Sequence, residues 1–295
     1  MTEIGFVGLG NMGLPMAANL VKSGYKVTGF DTVPAALDKA KAAGIAIAAT
    51  SAEAASGRDI VITMLPNGKI VLSVFEEIVP ACAPGTVIVD SSTIDVASAR
   101  AAHDMAGKAG LLSVDAPVSG GVGGAEAGTL TFMIGGSEAA LEKARPALEV
   151  MGGRLVHCGE GGAGQAAKMC NNMLLGISMI GACEAFALAD KLGLSQKALF
   201  DVVSTSSGSC WSVNTYCPVP DVGPKSPADN DYRPGFAAAL MLKDLNLSQQ
   251  AAAEAGAATP MGRHATEIYN AFVEAGEGGT DFSGIIRFLD KARDM

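Results

Sequence analysis

The sequence predicts an α/β domain with a parallel sheet over residues 1–163, followed by an all-α domain over residues 164–295. Short apolar runs alternate with helix-like stretches through the first half of the chain, a succession typical of a parallel sheet covered by helices on both faces. A glycine-rich loop separates the first apolar run from the first helical stretch. Beyond residue 164 the strand-like runs cease, and helical segments rich in Ala, Leu and Met take their place.

The elements of the first domain follow from the apolar runs and from the turn residues between them. A helix over 137–150 is expected to begin at Gly136-Ser137, because serine is a good N-cap residue. Strands are predicted at 3–7, 26–30, 59–64, 86–90, 112–115, 130–134 and 154–157.

Two segments stand out in the second domain. A helix from about 164 to 191 is predicted to link the domains, and its window Met173–Ala189 approaches the length of a membrane span. Because that window contains Ser178 and Glu184 and lacks basic flanks, a helix buried on most sides is the better interpretation. The prolines of residues 217–235 predict an irregular loop, of the kind that serves a site or is mobile.

The first apolar run opens onto the loop Gly8-Leu9-Gly10-Asn11-Met12-Gly13. In a strand–loop–helix order, the first glycine permits a tight turn, the second lets the backbone approach a pyrophosphate, and the third lets helix and strand pack closely. The helix that follows directs free N–H groups at the phosphates. This arrangement predicts a Rossmann-type dinucleotide-binding domain whose six loop residues contact the cofactor.

The second predicted strand ends in Asp31, eighteen residues after Gly13. A carboxylate at this place accepts hydrogen bonds from the adenosine ribose and repels a 2′-phosphate, which predicts NAD rather than NADP. Asp31 or Thr32 is also a possible cap for the helix that Pro34 begins, and the two roles are compatible.

Composition limits the class of protein. The 295 residues are 49% hydrophobic, which is enough for two cores, and the net charge of −9 argues against nucleic acid or an anionic membrane as a principal partner. The six cysteines include no Cys-x-x-Cys pair and do not cluster with the three histidines, so we expect free thiols and no metal site. The chain shows no basic leader before its first strand, which predicts a cytoplasmic protein or a mature form.

Lys168 is the strongest candidate for chemistry, because helical spacing places it on one stripe with Gln165 and Asn172. The pKa of a free lysine is about 10.4, so a lysine that acts as a base near neutrality must be buried. A cationic nicotinamide nearby would lower the pKa further. From spacing alone, a structural ion pair explains Lys168 equally well.

Further polar motifs lie at predicted strand ends and within an apolar helix. The turn that contains Ser119 suits a carboxylate, although it is also compatible with an ordinary glycine-rich turn. Thr93 is a candidate nicotinamide contact or a helix cap, and Lys243-Asp244 is a candidate ion pair. No histidine has an adjacent acidic partner in the sequence, which predicts surface or packing roles for His103, His157 and His264.

Taken together, these motifs resemble the β-hydroxyacid dehydrogenase family over essentially the whole chain. The resemblance is carried by Gly8–Gly13, Asp115–Gly128, Gly164–Asn172 and Lys243-Asp244-Leu245. Within the family the likeness is to members that oxidise 3-hydroxyisobutyrate, on the residues Asn171–Gly176 and Ser207–Tyr216.

The resemblance implies that Lys168 is the catalytic acid and base, that Asn172 orients the substrate hydroxyl, and that Ser119 and Gly120 bind the substrate carboxylate. The other implied contacts are Trp211 and Tyr216 in the pocket wall, Lys243 and Asp244 over cofactor and substrate, and Leu65, Pro66, Ile70 and Thr93 at NAD. One departure is Arg233-Pro234, which stands where related enzymes carry a more glycine-like pair and bears on loop mobility and substrate selectivity.

The implied reaction is NAD-dependent oxidation of 3-hydroxyisobutyrate to methylmalonate semialdehyde in valine breakdown, without a metal. Tartronate semialdehyde reduction and L-serine oxidation are alternatives within the family, and a non-catalytic dinucleotide sensor is the alternative from another class. We expect a small 3-hydroxy acid as substrate, no nucleic acid or membrane partner, and a homodimer or homotetramer. For a processed eukaryotic form the expected location is the mitochondrial matrix.

Overall fold

The computed structural model describes residues 2–289, and the chain forms two compact units, Met1–Lys168 and Met169–Met295. Residue 1 and residues 290–295, which the two predicted domains include, lie outside the described residues. The predicted boundary at residue 163 coincides with the first residue of a long helix, and the two units divide within that helix.

The first unit is built on a nine-stranded sheet. The strands are β1 Glu3–Val7, β2 Lys26–Phe30, β3 Ala46–Ile47, β4 Ile60–Thr63, β5 Val87–Asp90, β6 Leu112–Asp115, β7 Val118–Ser119, β8 Leu130–Gly135 and β9 Gly152–Gly159. Their order in the sheet is β3-β2-β1-β4-β5-β6-β8-β7, and β9 pairs with β8. Each of the predicted strands is present, and two further strands of two residues each were missed, β3 and β7.

The sheet is dominated by parallel strand pairs, as predicted, and the antiparallel pairs all involve β8. Strand β8 pairs antiparallel with both β6 and β7, because the chain reverses after Asp115 and returns through a short helix. From β3 to β6 the strands are parallel. The expected βαβ pattern therefore describes the half of the sheet that contains the glycine-rich loop.

Helices cover both faces of this sheet, as expected. Side chains of β4 alternate between two apolar cores, with Ile60 and Ile62 in one and Val61 in the other. Ser137 accepts a hydrogen bond from Ala140 N and begins the predicted helix after β8. The helices are α1 Gly13–Lys22, α2 Pro34–Ala42, α3 Ser51–Ala55, α4 Gly68–Ile78, α5 Val96–Lys108, α6 Gly121–Ala127 and α7 Glu138–Met151.

The second unit is helical within the described residues. Its main core is formed by side chains such as Met179, Met241, Tyr269 and Phe282. The helices are α8 Ala163–Lys191, which begins in the first unit, α9 Gln196–Val203, α10 Trp211–Asn214, α11 Ala238–Ala255, α12 Pro260–Phe272 and α13 Ile285–Leu289.

Helix α8 is long and apolar enough to cross a membrane by length and composition alone. Only 44% of its most apolar window is buried, so the expectation of a helix buried on most sides is wrong. Met179 and Cys183 face the core, whereas Leu174 and Leu188 are more than half exposed. The helix therefore has one core face and one apolar exposed face.

The proline-rich segment 217–235 is largely irregular, as predicted, and contains one 3₁₀ turn, Pro227–Asn230. Hydrogen bonds hold it in place. The hydroxyl of Tyr232 donates to the carbonyl of Pro218 at 2.8 Å, and Ser226 Oγ donates to the carbonyl of Cys217 at 2.7 Å.

Candidate active site

Most of the predicted site residues of the first unit follow the carboxyl ends of five neighbouring parallel strands, β2, β1, β4, β5 and β6. Strand β1 lies between β2 and β4, so the strand order changes direction there. Open α/β sheets bind ligands at the carboxyl edge of such a point. The segments that reach this edge are the loop Gly8–Gly13, Leu65-Pro66, Thr93 and the turn that leads to Ser119.

The glycine-rich loop has the conformation that its sequence predicts. Gly8 has a φ of +96°, and a Cβ there would lie 2.2 Å from the carbonyl oxygen of Met64. A Cβ at Gly13 would lie 1.9 Å from the carbonyl oxygen of Gly8, whereas one at Gly10 would meet nothing within 4 Å. The following helix α1 has no side-chain cap. The loop therefore fits a pyrophosphate, which needs open backbone at the second glycine and unsatisfied N–H groups at the helix start.

Asp31 lies at the end of β2 and is bound to this loop. Its Oδ2 accepts a 2.7 Å hydrogen bond from Leu9 N, and its Oδ1 accepts a 2.8 Å hydrogen bond from Val33 N. The N-cap residue of α2 is Val33, and no side chain caps this helix. The prediction that Asp31 or Thr32 caps the helix is therefore wrong. Asp31 instead joins the first loop residues to the start of the next connection.

The predicted NAD contacts after β4 and β5 are linked through Ser92. Leu65 N donates to Ser92 Oγ at 2.8 Å, and Ser92 Oγ donates in turn to Asp90 Oδ1 at 2.6 Å. The loop residue Thr93 follows directly and is partly buried. Pro66 is exposed, as is Ile70, whose backbone N–H is bound by the cap residue Asn67.

Asp90 is the last acceptor in this chain of hydrogen bonds and is almost wholly buried. Burial raises its pKa, hydrogen bonds from Ser92 and Thr63 oppose that shift, and the charge of Asp115 adds to it. Its Oδ2 has no hydrogen-bond partner among the residues that the structure describes. Burial and the unpaired oxygen together favour the neutral acid.

Lys168 is buried, with 6% of its surface exposed. Its Nζ donates a 2.7 Å hydrogen bond to the carbonyl oxygen of Val118. Ser119 and Gly120 follow Val118 directly, and Gly120 has a φ of +133°. The structure thus places the predicted base beside the segment predicted to bind the substrate carboxylate.

Sequence reasoning missed the contacts that fix the start of α8. Asp115 Oδ1 accepts a hydrogen bond from Gly162 N at 2.7 Å, and Asp115 Oδ2 accepts one from Gln165 N at 2.9 Å. The Gln165 side chain bridges to the loop after β5, since Nε2 donates to Ser92 O at 2.7 Å and Oε1 accepts from Ile94 N at 3.1 Å. The glycine run at 159–164 was the available signal, because such a run indicates close backbone approach.

His103 has an acidic partner, which corrects the prediction of a surface or packing role. Its Nε2 lies 2.9 Å from Asp115 Oδ1, and its Nδ1 lies 2.7 Å from Ser113 Oγ. The acid is twelve residues away in the chain, so sequence adjacency could not reveal it. Of the other histidines, His157 contacts the carbonyl of Gly136, and His264 lies exposed beside Glu267.

In the second unit, Asn172 is held by two hydrogen bonds. Its Nδ2 donates to Asp244 Oδ2 at 2.6 Å, and its Oδ1 accepts from Asn171 Nδ2 at 2.8 Å. Asn172 and Asp244 are both buried. Asn172 lies one helical turn beyond Lys168 on α8, so both side chains leave the same face of that helix.

Lys243 is partly buried on α11. Burial lowers the pKa of Lys243, and the neighbouring carboxylate of Asp244 opposes the shift. An open groove of about 400 Å³ runs beside it, lined by Ala239, Leu242, Lys243, Asn246, Leu247 and Gln250. The partly buried ammonium group of Lys243 beside this groove could bind an anionic group.

The predicted pocket aromatics stack on each other. The ring centroids of Trp211 and Tyr216 are 4.7 Å apart with an interplanar angle of 20°. Tyr216 Oη donates to Asp281 Oδ2 at 2.9 Å, and burial, together with the charge of Asp281, raises the pKa of Tyr216. The same carboxylate oxygen accepts hydrogen bonds from Gly235 N and Phe236 N. Asp281 therefore fixes the backbone at Gly235 and Phe236, which follow Arg233-Pro234.

All six cysteines are free thiols, and only Cys183 and Cys217 are buried. Over residues 2–289, no three His, Cys, Asp or Glu side chains are grouped so that they could hold a metal ion.

Comparisons with known proteins agree with this architecture. The family model described as the NAD binding domain of 6-phosphogluconate dehydrogenase matches residues 3–159. The model described as NAD-binding of NADP-dependent 3-hydroxyisobutyrate dehydrogenase matches residues 162–289.

Relatives match over the whole chain. A probable 3-hydroxyisobutyrate dehydrogenase of Mycobacterium tuberculosis is 52% identical over 100% of both chains. An NAD-dependent L-serine dehydrogenase of Pseudomonas aeruginosa is 46% identical over 98% of both. A solved structure of the M. tuberculosis 3-hydroxyisobutyrate dehydrogenase with L-serine has a TM-score of 0.95 at 52% identity, and the match covers 98% of this chain and 99% of that one.

These matches confirm the predicted Rossmann-type domain followed by a helical domain, and they confirm a nicotinamide dinucleotide as cofactor. They also show a hydroxyacid oxidoreductase rather than a non-catalytic sensor. The chain belongs to the NAD-dependent β-hydroxyacid dehydrogenase family, as an oxidoreductase of the 3-hydroxyisobutyrate dehydrogenase type.

Proposed function

We propose that the protein oxidises 3-hydroxyisobutyrate to methylmalonate semialdehyde with NAD, as a step of valine breakdown. The observation that carries this proposal is the buried Lys168, whose Nζ lies 2.7 Å from Val118 O beside the turn at Ser119. The names of the relatives at 52% identity support the choice of substrate.

Oxidation of the primary alcohol removes a proton from oxygen and a hydride from carbon. Bound NAD supplies the hydride acceptor. Lys168, which is buried beside the turn at Ser119, takes the proton as its neutral amine. Asn172, one turn further along α8, orients the hydroxyl through its side-chain amide.

The substrate carboxylate binds at the turn after β7. Ser119 offers a hydroxyl donor, and the positive φ of Gly120 turns the backbone there. Lys243 supplies positive charge toward cofactor and substrate, and Trp211 with Tyr216 forms an aromatic wall for the substrate carbon chain.

The preference for NAD over NADP rests on Asp31. Its carboxylate stands at the end of β2, where it meets an adenosine ribose and repels a 2′-phosphate. The loop Gly8–Gly13 holds the pyrophosphate, and Leu65, Pro66, Ile70 and Thr93 complete the cofactor contacts from the neighbouring strand ends.

L-Serine is the second candidate substrate. The relative at 46% identity is named an L-serine dehydrogenase, and the solved structure at TM-score 0.95 is described with L-serine. The two molecules share a hydroxymethyl group and a carboxylate, and they differ only in the methyl or ammonium group on the carbon between. The aromatic wall favours the methyl group, because burial of one methyl is worth about 1 kcal/mol.

The test is NADH formation with 3-hydroxyisobutyrate, L-serine and glycerate, measured side by side as kcat/KM. We expect the highest value for 3-hydroxyisobutyrate. Lys168→Ala is expected to reduce turnover to a small residual rate while it leaves the NADH dissociation constant unchanged. Lys108→Ala, an exposed lysine at the end of α5, is the matched control and is expected to behave as wild type. Turnover by Lys168→Ala at the wild-type rate would overturn the lysine mechanism.

We further propose a cytoplasmic protein, or a mitochondrial matrix protein in a processed eukaryotic form, that works as a homodimer or homotetramer. The relatives in Drosophila melanogaster and Mus musculus are named mitochondrial. The exposed leucines of α8 are suitable contacts for a second copy. Sedimentation of the purified chain tests the oligomeric state.

A further inference from the structure

We propose that Asp115 is a positioning residue for Lys168: it fixes the first turn of α8 and, through the segment that it begins, the carbonyl on which the lysine rests. This inference rests on the proposed role of Lys168. It gives Asp115 a task other than contact with substrate.

The first contact is at the helix start. Both carboxylate oxygens of Asp115 accept backbone N–H groups there, from Gly162 at 2.7 Å and Gln165 at 2.9 Å. An anionic acceptor at a helix N-terminus is stabilised by the helix dipole as well as by the hydrogen bonds. Gln165 lies three residues before Lys168, so this contact sets the direction in which the lysine leaves the helix.

The second contact is at the tip of the lysine. Val118, whose carbonyl accepts from Lys168 Nζ at 2.7 Å, lies only three residues after Asp115. Residues 115–118 therefore hold α8 at its backbone and at its functional side chain. A shift of this segment moves both contacts together.

The glycines around Asp115 show that this arrangement is tightly built. A Cβ at Gly164 would lie 2.6 Å from the carbonyl oxygen of Asp115, and a Cβ at Gly135 would lie 2.4 Å from Asp115 Oδ1. Side chains at these positions would displace the carboxylate or the helix start. The glycines at 135 and 164 thus allow the carboxylate to reach the N–H groups.

His103 also contacts the carboxylate of Asp115. Its Nε2 lies 2.9 Å from Asp115 Oδ1, and the Ser113 hydroxyl lies 2.7 Å from its Nδ1, an arrangement in which Nε2–H donates to the acid and Nδ1 accepts from the serine. Asp115 is only 2% exposed. With three donors on two oxygens and so little exposed surface, Asp115 acts through α8.

The test is Asp115→Asn in the full chain. The amide of asparagine has only one acceptor oxygen, so either Gly162 N or Gln165 N faces an NH₂ group and loses its hydrogen bond. We expect kcat with 3-hydroxyisobutyrate to fall about tenfold or more, since small misplacement of a catalytic group is costly. The NADH dissociation constant, from NADH fluorescence, is expected to stay within about twofold. Ser137→Ala, which removes the cap of α7 in the same unit, is the matched control and is expected to keep kcat.

A double-variant cycle separates positioning from general loosening. If Asp115 acts through Lys168, Asp115→Asn causes no further loss of the residual rate in a Lys168→Ala background. A further loss by the same factor as in the wild type overturns the proposal, as does an Asp115→Asn enzyme with wild-type kcat.

If Asp115→Asn does not fold, His103→Ala replaces it as the test variant, because it leaves the hydrogen bonds from Gly162 N and Gln165 N to the Asp115 carboxylate in place. We expect a several-fold lower kcat with unchanged NADH binding, and an unchanged kcat counts against the proposal. The proposed function fails separately, by turnover at the wild-type rate in Lys168→Ala. A dead Lys168→Ala with a fully active His103→Ala and Asp115→Asn overturns the positioning role alone.

Discussion

The side-chain amide of Asn172 donates a 2.6 Å hydrogen bond to Asp244, and both residues are buried. Since Asn171 donates to the amide oxygen of Asn172, the orientation of that amide is fixed. One N–H of Asn172 is engaged by Asp244, and in the proposed function the other N–H binds the substrate hydroxyl. The acid is therefore in a position to orient Asn172.

Asp244→Ala is expected to lower kcat about tenfold or more, because Asn172 loses the acceptor that fixes its amide. Asp244→Asn keeps a carbonyl oxygen in reach of Asn172 and is expected to recover part of the loss. Steady-state kinetics with 3-hydroxyisobutyrate provide the measurement. A raised KM at unchanged kcat in Asp244→Ala would show instead that Asp244 contacts the substrate directly.

Asp31→Asn is expected to weaken NADH binding about tenfold and to reduce the difference between the dissociation constants of NADH and NADPH. The substitution removes the negative charge that would repel a 2′-phosphate. It also replaces one carboxylate oxygen by an NH₂ group, so either Leu9 N or Val33 N loses its hydrogen-bond acceptor. Fluorescence titration with both dinucleotides measures this. Asp38→Asn, on the exposed face of α2, is the control. If the affinities for NADH and NADPH fall by the same factor, Asp31 only holds the glycine-rich loop and does not discriminate between the two cofactors.

Asp90→Asn is expected to make the free energy of unfolding less dependent on pH. Burial raises the pKa of Asp90, so the folded state holds its proton more tightly than the unfolded state does. The stability contributed by that proton is complete below the unfolded pKa, about 3.9, and is lost as pH rises through the folded pKa. The variant should therefore gain stability relative to wild type as pH rises above the unfolded pKa and through the folded pKa of Asp90. Urea denaturation at three pH values tests this, and a constant difference contradicts it.

The parts of the molecule that the sequence predicts well depend on local rules. The loop at Gly8–Gly13 could be predicted because each glycine has its own steric reason, and the structure places a backbone oxygen against Gly8 and Gly13. The strands from β1 to β6 could be predicted from apolar runs, except for β3, whose two residues are too short for any periodicity.

The parts that could not be predicted depend on contacts distant in sequence. His103 and Asp115 are twelve residues apart, and Asn172 and Asp244 are seventy-two apart, so only the fold brings each pair together. The reversal of β8 likewise follows from tertiary pairing, since a strand that pairs antiparallel carries the same alternation as one that pairs parallel. The roles carried over from the family stay predictions, and the variants at Lys168 and Asp244 test two of them.

Trp211→Ala is expected to lower kcat/KM for 3-hydroxyisobutyrate more than for L-serine. The variant removes the aromatic face that stacks on Tyr216, and a methyl group loses more from this than an ammonium group that water can solvate. We expect a change of about tenfold in the ratio of the two constants. An unchanged ratio would show that the group on the central carbon lies away from Trp211.

Gly10→Ala and Gly13→Ala separate cofactor binding from folding within one loop. A Cβ at Gly10 meets nothing within 4 Å, so Gly10→Ala is expected to keep the stability of wild type within about 0.5 kcal/mol. The same methyl stands where the pyrophosphate approaches, so NADH affinity should fall at least tenfold. A Cβ at Gly13 would lie 1.9 Å from the carbonyl oxygen of Gly8, and Gly13→Ala should cost about 1–3 kcal/mol of stability or more even without cofactor. Thermal unfolding of the apo forms and NADH titration measure the two effects, and a Gly10→Ala protein that binds NADH as wild type does would place the pyrophosphate elsewhere.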